Sequence, residues 1–86
     1  MQDFDNRTAV ITGGASGIGR AIAERCLAEG MNVVLADIEQ TVLESTASDL
    51  ATQHPERVLG VVTDVCKEAD LEDLRDQSLS RFGGIH

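Results

Sequence analysis

The residues best suited to chemistry in this sequence are the glycines of the segment Thr12–Gly19. Gly13, Gly17 and Gly19 follow the spacing G-x-x-x-G-x-G between a β-branched run and a helical pattern. The first allows a tight turn, the second leaves room for a phosphate, and the third permits close helix–strand packing. The first four amides of a helix lack helical acceptors and lie at the positive end of its dipole. The segment therefore predicts a pyrophosphate site without lysine, and the absence of Gly-Lys-Ser/Thr excludes a P-loop.

An aspartate ends the second apolar run, 18 residues after Gly19. The carboxyl ends of parallel strands lie side by side, so Asp37 is predicted to face an adenosine ribose. Its carboxylate can accept hydrogen bonds from the ribose hydroxyls and repels a 2′-phosphate by about 4 kcal/mol at an effective dielectric near 20. Because 38–40 contain no Arg or Lys, we expect NAD(H) rather than NADP(H), with Arg20 as the cation that could still reach a phosphate. The alternative is that Asp37 only caps the next helix.

Thr12 and the three glycines, directly after a first strand, resemble the nucleotide-binding signature of the classical short-chain dehydrogenases/reductases. The resemblance implies that Asp64 and Val65, which follow the third strand, contact adenine. The carboxylate would meet the exocyclic amine, and the next backbone N–H would meet a ring nitrogen. It also implies hydride transfer between a nicotinamide and a small alcohol or carbonyl substrate. The alternative is that Asp64 caps the helix that starts near Lys67.

The predicted site combines the glycine turn with the two strand ends. The predicted cofactor-binding residues are Thr12, Gly13, Ser16, Gly17, Ile18, Gly19, Asp37, Ile38, Asp64 and Val65. No catalytic and no metal-binding residue is predicted, and the acidic run 70–76 has the pattern of a solvated helix face. The resemblance implies a catalytic Ser and a Tyr-x-x-x-Lys pair, but the sequence has no Tyr and its only Lys is Lys67. Since hydride transfer needs a positioned acid or base, we expect the 86-residue chain alone to be inactive.

Three β-branched runs alternate with three helical patterns along the chain. The predicted strands are 8–12, 32–37 and 58–63, and the predicted helices are about 17–29, 39–53 and 67–82. Gly30 is expected to cap the first helix in a left-handed conformation, and Gly83-Gly84 to close the last. The apolar residues predicted to face the core are Ile18, Ile22 and Cys26 in the first helix, Leu43, Thr46, Ala47 and Leu50 in the second, and Leu71, Leu74 and Phe82 in the third.

The strand starts lie 24 and then 26 residues apart, which fits three successive βα units. Such units require a parallel sheet with right-handed crossovers. We therefore predict an α/β fold, the N-terminal half of a Rossmann fold, with sheet order 3-2-1 and βαβαβα connectivity. The whole of 1–86 is expected to be one partial NAD(P)-binding domain. A solenoid is disfavoured because the units share no sequence beyond their pattern.

Composition restricts the function classes. Fifteen acidic residues against seven basic ones give a formal charge of −8, which disfavours nucleic acid and anionic membrane surfaces as partners. No apolar run approaches the roughly 20 residues that span a bilayer, and no signal peptide is recognisable. The two cysteines have no CxxC spacing, so we expect Cys26 to be packed in the core, Cys66 to have a structural role, and the protein to be cytoplasmic.

The resemblance covers the first third of such an enzyme. In the Rossmann strand order the first strand is central, so the predicted sheet leaves one edge of that strand open. We therefore expect the sequence to be a fragment of a longer oxidoreductase, with the edge covered by further residues, a helix, or another copy in a homo-oligomer. One alternative is a stand-alone dinucleotide-binding module without catalysis. Another, half of an S-adenosylmethionine-dependent methyltransferase, is disfavoured because that cofactor has no phosphate.

Overall fold

The computed structural model describes residues 7–14 and 16–83, which form three strands and three helices in strict alternation. The elements are β1 (Thr8–Thr12), α1 (Gly17–Ala28), β2 (Asn32–Asp37), α2 (Gln40–Gln53), β3 (Val58–Val62) and α3 (Glu68–Phe82). The first two strands have the predicted bounds, and each of the other four elements differs from its prediction by a single residue at one end. Gly83 has the left-handed conformation of a helix cap, with φ 80°, and Gly84 lies outside the described residues.

The three strands form one parallel sheet with β2 in the centre. The order β1-β2-β3 is the predicted order 3-2-1 read from the other edge. Pairing runs from Thr8 opposite Asn32 to Thr12 opposite Ala36, and Asp37 at the end of β2 pairs with Val62. This register brings the carboxyl ends of all three strands to one edge of the sheet.

Helices cover both faces of β2, which is why its apolar run does not alternate with polar residues. Side chains on one face pack with β1, α1 and α2 in a cluster of Ile11, Ala23, Leu27, Val33, Leu35, Leu43 and Leu50. Those on the other face pack with β3 and α3 in a cluster of Val34, Ala36, Val61 and Leu74. The predicted inward face of α2 is confirmed, since Leu43, Thr46 and Leu50 are buried and Ala47 packs against the first cluster.

The prediction for the inward face of α1 is correct at Cys26, which is half-buried and packs against the first cluster, but wrong at Ile18 and Ile22. The buried residues of this helix are Gly19, Ala23 and Leu27, whereas Ile18 is 78% and Ile22 is 49% exposed. Helix and turn approach so closely that a Cβ at position 19 would lie 2.9 Å from the Cα of Gly14. Small residues permit that approach, so a pattern of large apolar residues pointed to the wrong face.

The prediction for α3 is correct at Leu74 and Phe82 and wrong at Leu71, which is 42% exposed. The buried stripe instead includes Ser78, whose hydroxyl donates to the carbonyl of Leu74 at 2.7 Å. That internal hydrogen bond is what allows a serine to be fully buried. Leu71 shares the angular position of the stripe, and we attribute its exposure to its place near the helix start, where the strands have ended.

Two turns lie at the amino edge of the sheet. In the first, Gly30 has φ 90° and donates its amide to the carbonyl of Leu27, as the predicted helix cap requires. In the second, Glu56 has φ 68°, which is uncommon for a residue with a side chain. The guanidinium of Arg57 donates to the carbonyl of Met31 at 2.6 Å and joins the two turns.

Candidate functional site

The candidate site lies at the carboxyl edge of the sheet, where two backbone hydrogen bonds continue the strand pairing into the loops. The amide of Gly14 donates to the carbonyl of Ala36 at 3.1 Å, and the amide of Thr63 donates to the carbonyl of Asp37 at 2.8 Å. The glycine turn, the end of β2 and the end of β3 are therefore adjacent, as the parallel arrangement predicts.

A cavity of about 370 Å³ opens between these three segments. It is lined by Thr12, Gly13, Ala36, Asp37, Ile38, Thr63, Asp64 and Val65, which include six of the ten predicted site residues. Two carboxylates face it, and the lining residues, all within the described part of the chain, include no basic side chain. The side chains of Ile38 and Val65 are 62% and 54% exposed. The cavity thus combines acidic groups with apolar walls.

The other four predicted residues, Ser16, Gly17, Ile18 and Gly19, lie at the start of α1. Ser16 is the N-cap: its hydroxyl oxygen accepts from the amide of Gly19 at 3.0 Å and its hydroxyl donates to the carbonyl of Gly13 at 2.8 Å. The amide of Ser16 also donates to Gly13. Two of the four amides expected to be unpaired are therefore occupied. In the described part of the chain, the amides of Gly17 and Ile18 have no acceptor and can receive an anion.

The three signature glycines fulfil different requirements. Gly13 has φ 69°, a left-handed conformation that favours glycine. Gly19 leaves no space for a side chain, because a Cβ there would collide with the carbonyl oxygen of Gly13 and with Gly14. A Cβ at Gly17 would meet nothing within 4 Å. The absent side chain at Gly17 is therefore not explained by packing within the described residues, and it leaves open space beside the helix start.

Asp37 organises the loop that follows β2. Its Oδ1 accepts from the amide of Glu39 at 3.1 Å. The N-cap of α2 is Glu39 itself, without a side-chain cap, so the alternative assignment of Asp37 as helix cap is wrong. A carboxylate has about four acceptor positions in all.

Asp64 is held in the same way at the end of β3. Its Oδ1 accepts from the amide of Cys66 and its carbonyl from the amide of Lys67, each at 2.9 Å. The N-cap of α3 is Lys67, so Asp64 is not the cap either. Its own amide donates to Oδ2 of Asp70 at 2.9 Å.

Asp70 was missed by the sequence analysis, which assigned it to a solvated helix face. It is half-buried and reaches back from the first turn of α3. An acidic residue at the third helical position is a known signal for a side chain that bonds a backbone amide before the helix. That signal is present in the sequence, but it is indistinguishable there from the other acidic residues of α3.

Arg20, the cation that could have favoured a 2′-phosphate, points to other partners. Its guanidinium pairs with Glu24 at 3.2 Å and with Asp49 at 3.3 Å. These residues line a separate pocket that includes His54 and none of the residues around Asp37.

The remaining titratable groups form no further centre within 7–14 and 16–83. No three His, Cys, Asp or Glu residues of that part are arranged to hold a metal ion. Both cysteines are free thiols, Cys26 half-buried and Cys66 exposed. None of the described helices is long and apolar enough to span a bilayer.

Comparison with known proteins gives consistent matches. Residues 7–86 match the family model of the short chain dehydrogenases. The chain is 38% identical over 85 residues to a CLA biosynthesis dehydrogenase/reductase of Lactiplantibacillus plantarum and 43% identical over 83 residues to levodione reductase of Leifsonia aquatica. These alignments cover 99% and 95% of the chain but 29% and 31% of the relatives, so the chain spans about a third of their length.

A solved structure matches over the same extent. The short-chain dehydrogenase/reductase of Burkholderia phymatum, crystallised in complex with NAD, superposes with a TM-score of 0.89 at 43% identity. The match covers 100% of the chain and 30% of that protein.

Proposed function

The chain belongs to the short-chain dehydrogenase family, and on that premise we propose that its carboxyl-edge cavity binds the adenosine diphosphate part of NAD(H). The observation that carries the proposal is the meeting of Asp37 and Asp64 in one cavity beside a helix start that has open space and accessible amides. An adenosine diphosphate needs such groups: hydrogen-bond donors for its phosphates, and hydrogen-bond acceptors for its ribose hydroxyls and its adenine amine.

Each part of the ligand has a partner in this proposal. The pyrophosphate accepts from the amides of Gly17 and Ile18, where the helix dipole also favours negative charge. The ribose hydroxyls donate to Asp37. Adenine lies between the exposed apolar side chains of Ile38 and Val65, and its exocyclic amine donates to the carboxylate of Asp64.

We further propose a preference for NAD(H) over NADP(H). Both carboxylates of the cavity repel a 2′-phosphate, and no described lining residue offers a compensating cation. Arg20 is already paired with two carboxylates. The relative from Burkholderia phymatum was crystallised with NAD, which supports the same choice.

For the whole protein we propose hydride transfer between the nicotinamide and a small alcohol or carbonyl compound. The cofactor supplies the hydride chemistry, and the residues described here hold its adenosine end. The family resemblance implies that a tyrosine carries out the acid–base step at the substrate oxygen. The sequence contains no tyrosine, so we do not assign this step to these 86 residues.

Calorimetry of the purified protein with NAD, NADP and S-adenosylmethionine tests the proposal. We expect NAD to bind most tightly and S-adenosylmethionine not to bind. In Asp37→Ala the NAD-to-NADP affinity ratio should fall at least about 10-fold, because most of a repulsion of a few kcal/mol is removed. Asp76→Ala is the matched control, since this exposed carboxylate pairs only locally with Arg75.

Two results would contradict the proposal: an unchanged ratio in Asp37→Ala, or preferential binding of S-adenosylmethionine. The 86-residue chain alone is expected to bind NAD without forming NADH. Only NAD binding without NADH formation by the whole protein would favour a nucleotide-binding module that lacks catalysis.

A further inference from the structure

Asp70 is bonded to the end of β3 from the first turn of α3. Its Oδ2 accepts from the backbone amide of Asp64, six residues earlier, at 2.9 Å. Both residues are half-buried, which lowers the competition from water. A carboxylate acceptor makes such a bond about twice as strong as one to a neutral group. The amide of Asp64 is therefore firmly anchored to the helix.

Two further hydrogen bonds complete the restraint on Asp64. Its Oδ1 accepts from the amide of Cys66 and its carbonyl from the amide of Lys67. The amide, the carbonyl and one carboxylate oxygen of a single residue are thus fixed. Since a carboxylate has about four acceptor positions, this arrangement sets the direction of Asp64 without using up its capacity to bind a ligand.

Asp70 does not itself line the cavity between the strand ends, whereas Asp64 and Val65 do. Its effect on a ligand must therefore pass through the backbone of Asp64. The other acidic residue of the same helical turn, Glu68, is exposed, and among the described residues it makes no hydrogen bond to Asp64.

We propose that Asp70 is a positioning residue that orients the groups selecting adenine as the base of the cofactor. By holding the amide of Asp64, it aims the Asp64 carboxylate and the Val65 amide at the amine and ring-nitrogen edge of adenine. The inference rests on the proposed function and deepens it, because it assigns base selectivity to a residue outside the cavity.

The test compares NAD with nicotinamide hypoxanthine dinucleotide, in which an oxygen replaces the exocyclic amine. Calorimetry should show that the unmodified protein prefers NAD. In Asp70→Ala that preference should fall about 3- to 10-fold, the equivalent of one hydrogen bond. The NAD-to-NADP ratio should stay unchanged, because it is determined at Asp37 on a different strand. A general loosening of the fold would alter both ratios.

Matched variants separate the hydrogen bond from charge and stability. Asp70→Asn keeps an acceptor oxygen and should restore most of the preference for adenine. Glu68→Ala removes the same charge from the same turn and should change neither ratio. Should Asp70→Ala not fold, Asp70→Ser is measured in its place, since its shorter side chain suits a first helical turn but cannot reach Asp64.

The outcomes distinguish this inference from the proposed function. If the unmodified protein binds neither NAD nor NADP, the proposed function fails and the inference with it. If it binds NAD but does not prefer it to the hypoxanthine analogue, the contact of Asp64 with the exocyclic amine and the positioning role are both overturned, while NAD binding stands. If Asp70→Ala keeps the full preference for adenine, or lowers both ratios alike, only the positioning role is overturned.

Discussion

The glycines of the candidate site are present for different reasons, some for the fold and one for the proposed ligand. Gly19 is required by packing, because a Cβ at this position would collide with the backbone of Gly13 and Gly14. Gly13 is required by its left-handed backbone. Gly17 satisfies neither need, since a side chain there would meet nothing. At Gly17 neither packing within the described residues nor backbone conformation explains why the residue is glycine. A bound ligand would explain it.

Gly17→Ala should therefore weaken cofactor binding without weakening the fold. Alanine is the better helix residue, so the free energy of unfolding should stay equal or rise by up to about 1 kcal/mol. The added methyl group lies where the pyrophosphate meets the amides, and NAD affinity should fall about 10- to 100-fold, as for lost hydrogen bonds to a charged group. Thermal unfolding and calorimetry measure the two effects.

Gly19→Ala provides the contrast, because the same methyl group has no space there. It should cost about 3 kcal/mol, the upper range for an overpacked site. Equal NAD affinity in Gly17→Ala and the unmodified protein would show that no phosphate approaches the start of α1.

Most of the candidate site was predictable at the scale of residues because parallel strands bring their carboxyl ends together. Asp37 and Asp64 each follow a strand, so their meeting required only the element order. The engagement of Arg20 with Asp49 was not predictable, since it joins residues 29 positions apart on two helices. Asp70 could not be singled out, because its partner is a backbone amide and the other acidic residues of α3 carry the same sequence signal.

At the scale of elements, β1 and β2 were predictable to the residue and the inward face of α1 was not. Strands covered on both sides appear as continuous β-branched runs. A helix that approaches a sheet closely does so with small residues, and Gly19 and Ala23 carry little hydrophobic signal. The larger Ile18 and Ile22 therefore dominated the periodicity, although they lie on the exposed side.

The two faces of α1 can be compared by matched truncations. Leu27→Ala should lower the free energy of unfolding by about 2–5 kcal/mol, since Leu27 is 1% exposed in the core. Ile22→Ala should lower it by less than about 1 kcal/mol, because this side chain is 49% exposed. Denaturant unfolding of the purified protein checks both values. A cost for Ile22→Ala as large as that for Leu27→Ala would mean that the second face is covered as well.

The whole molecule is acidic, and its net negative charge repels an anionic ligand, as the two carboxylates of the cavity also do. A formal charge of −8 repels an anionic ligand over its entire surface. The proposed binding of a dinucleotide therefore relies on local hydrogen-bond donors rather than on attraction at long range. NADP, with its additional phosphate, experiences this repulsion more strongly than NAD.

Added salt should accordingly reduce the difference in affinity between NAD and NADP. Raising the ionic strength from about 0.1 M to about 1 M shortens the screening length from about 10 Å to about 3 Å. We expect the NAD-to-NADP affinity ratio to fall several-fold across this range. Asp37→Ala should retain part of the salt dependence, because nearly all of the net charge remains. A ratio that is independent of salt would assign the discrimination to contacts other than charge.

The two turns at the amino edge of the sheet, joined by Arg57 and the carbonyl of Met31, offer a practical use. A strand of five residues separates them from the opposite edge by about 16 Å, and every predicted cofactor contact lies on that far side. A surface tether attached at Glu56, which is exposed, would therefore immobilise the protein with its proposed nucleotide-binding end facing the solution.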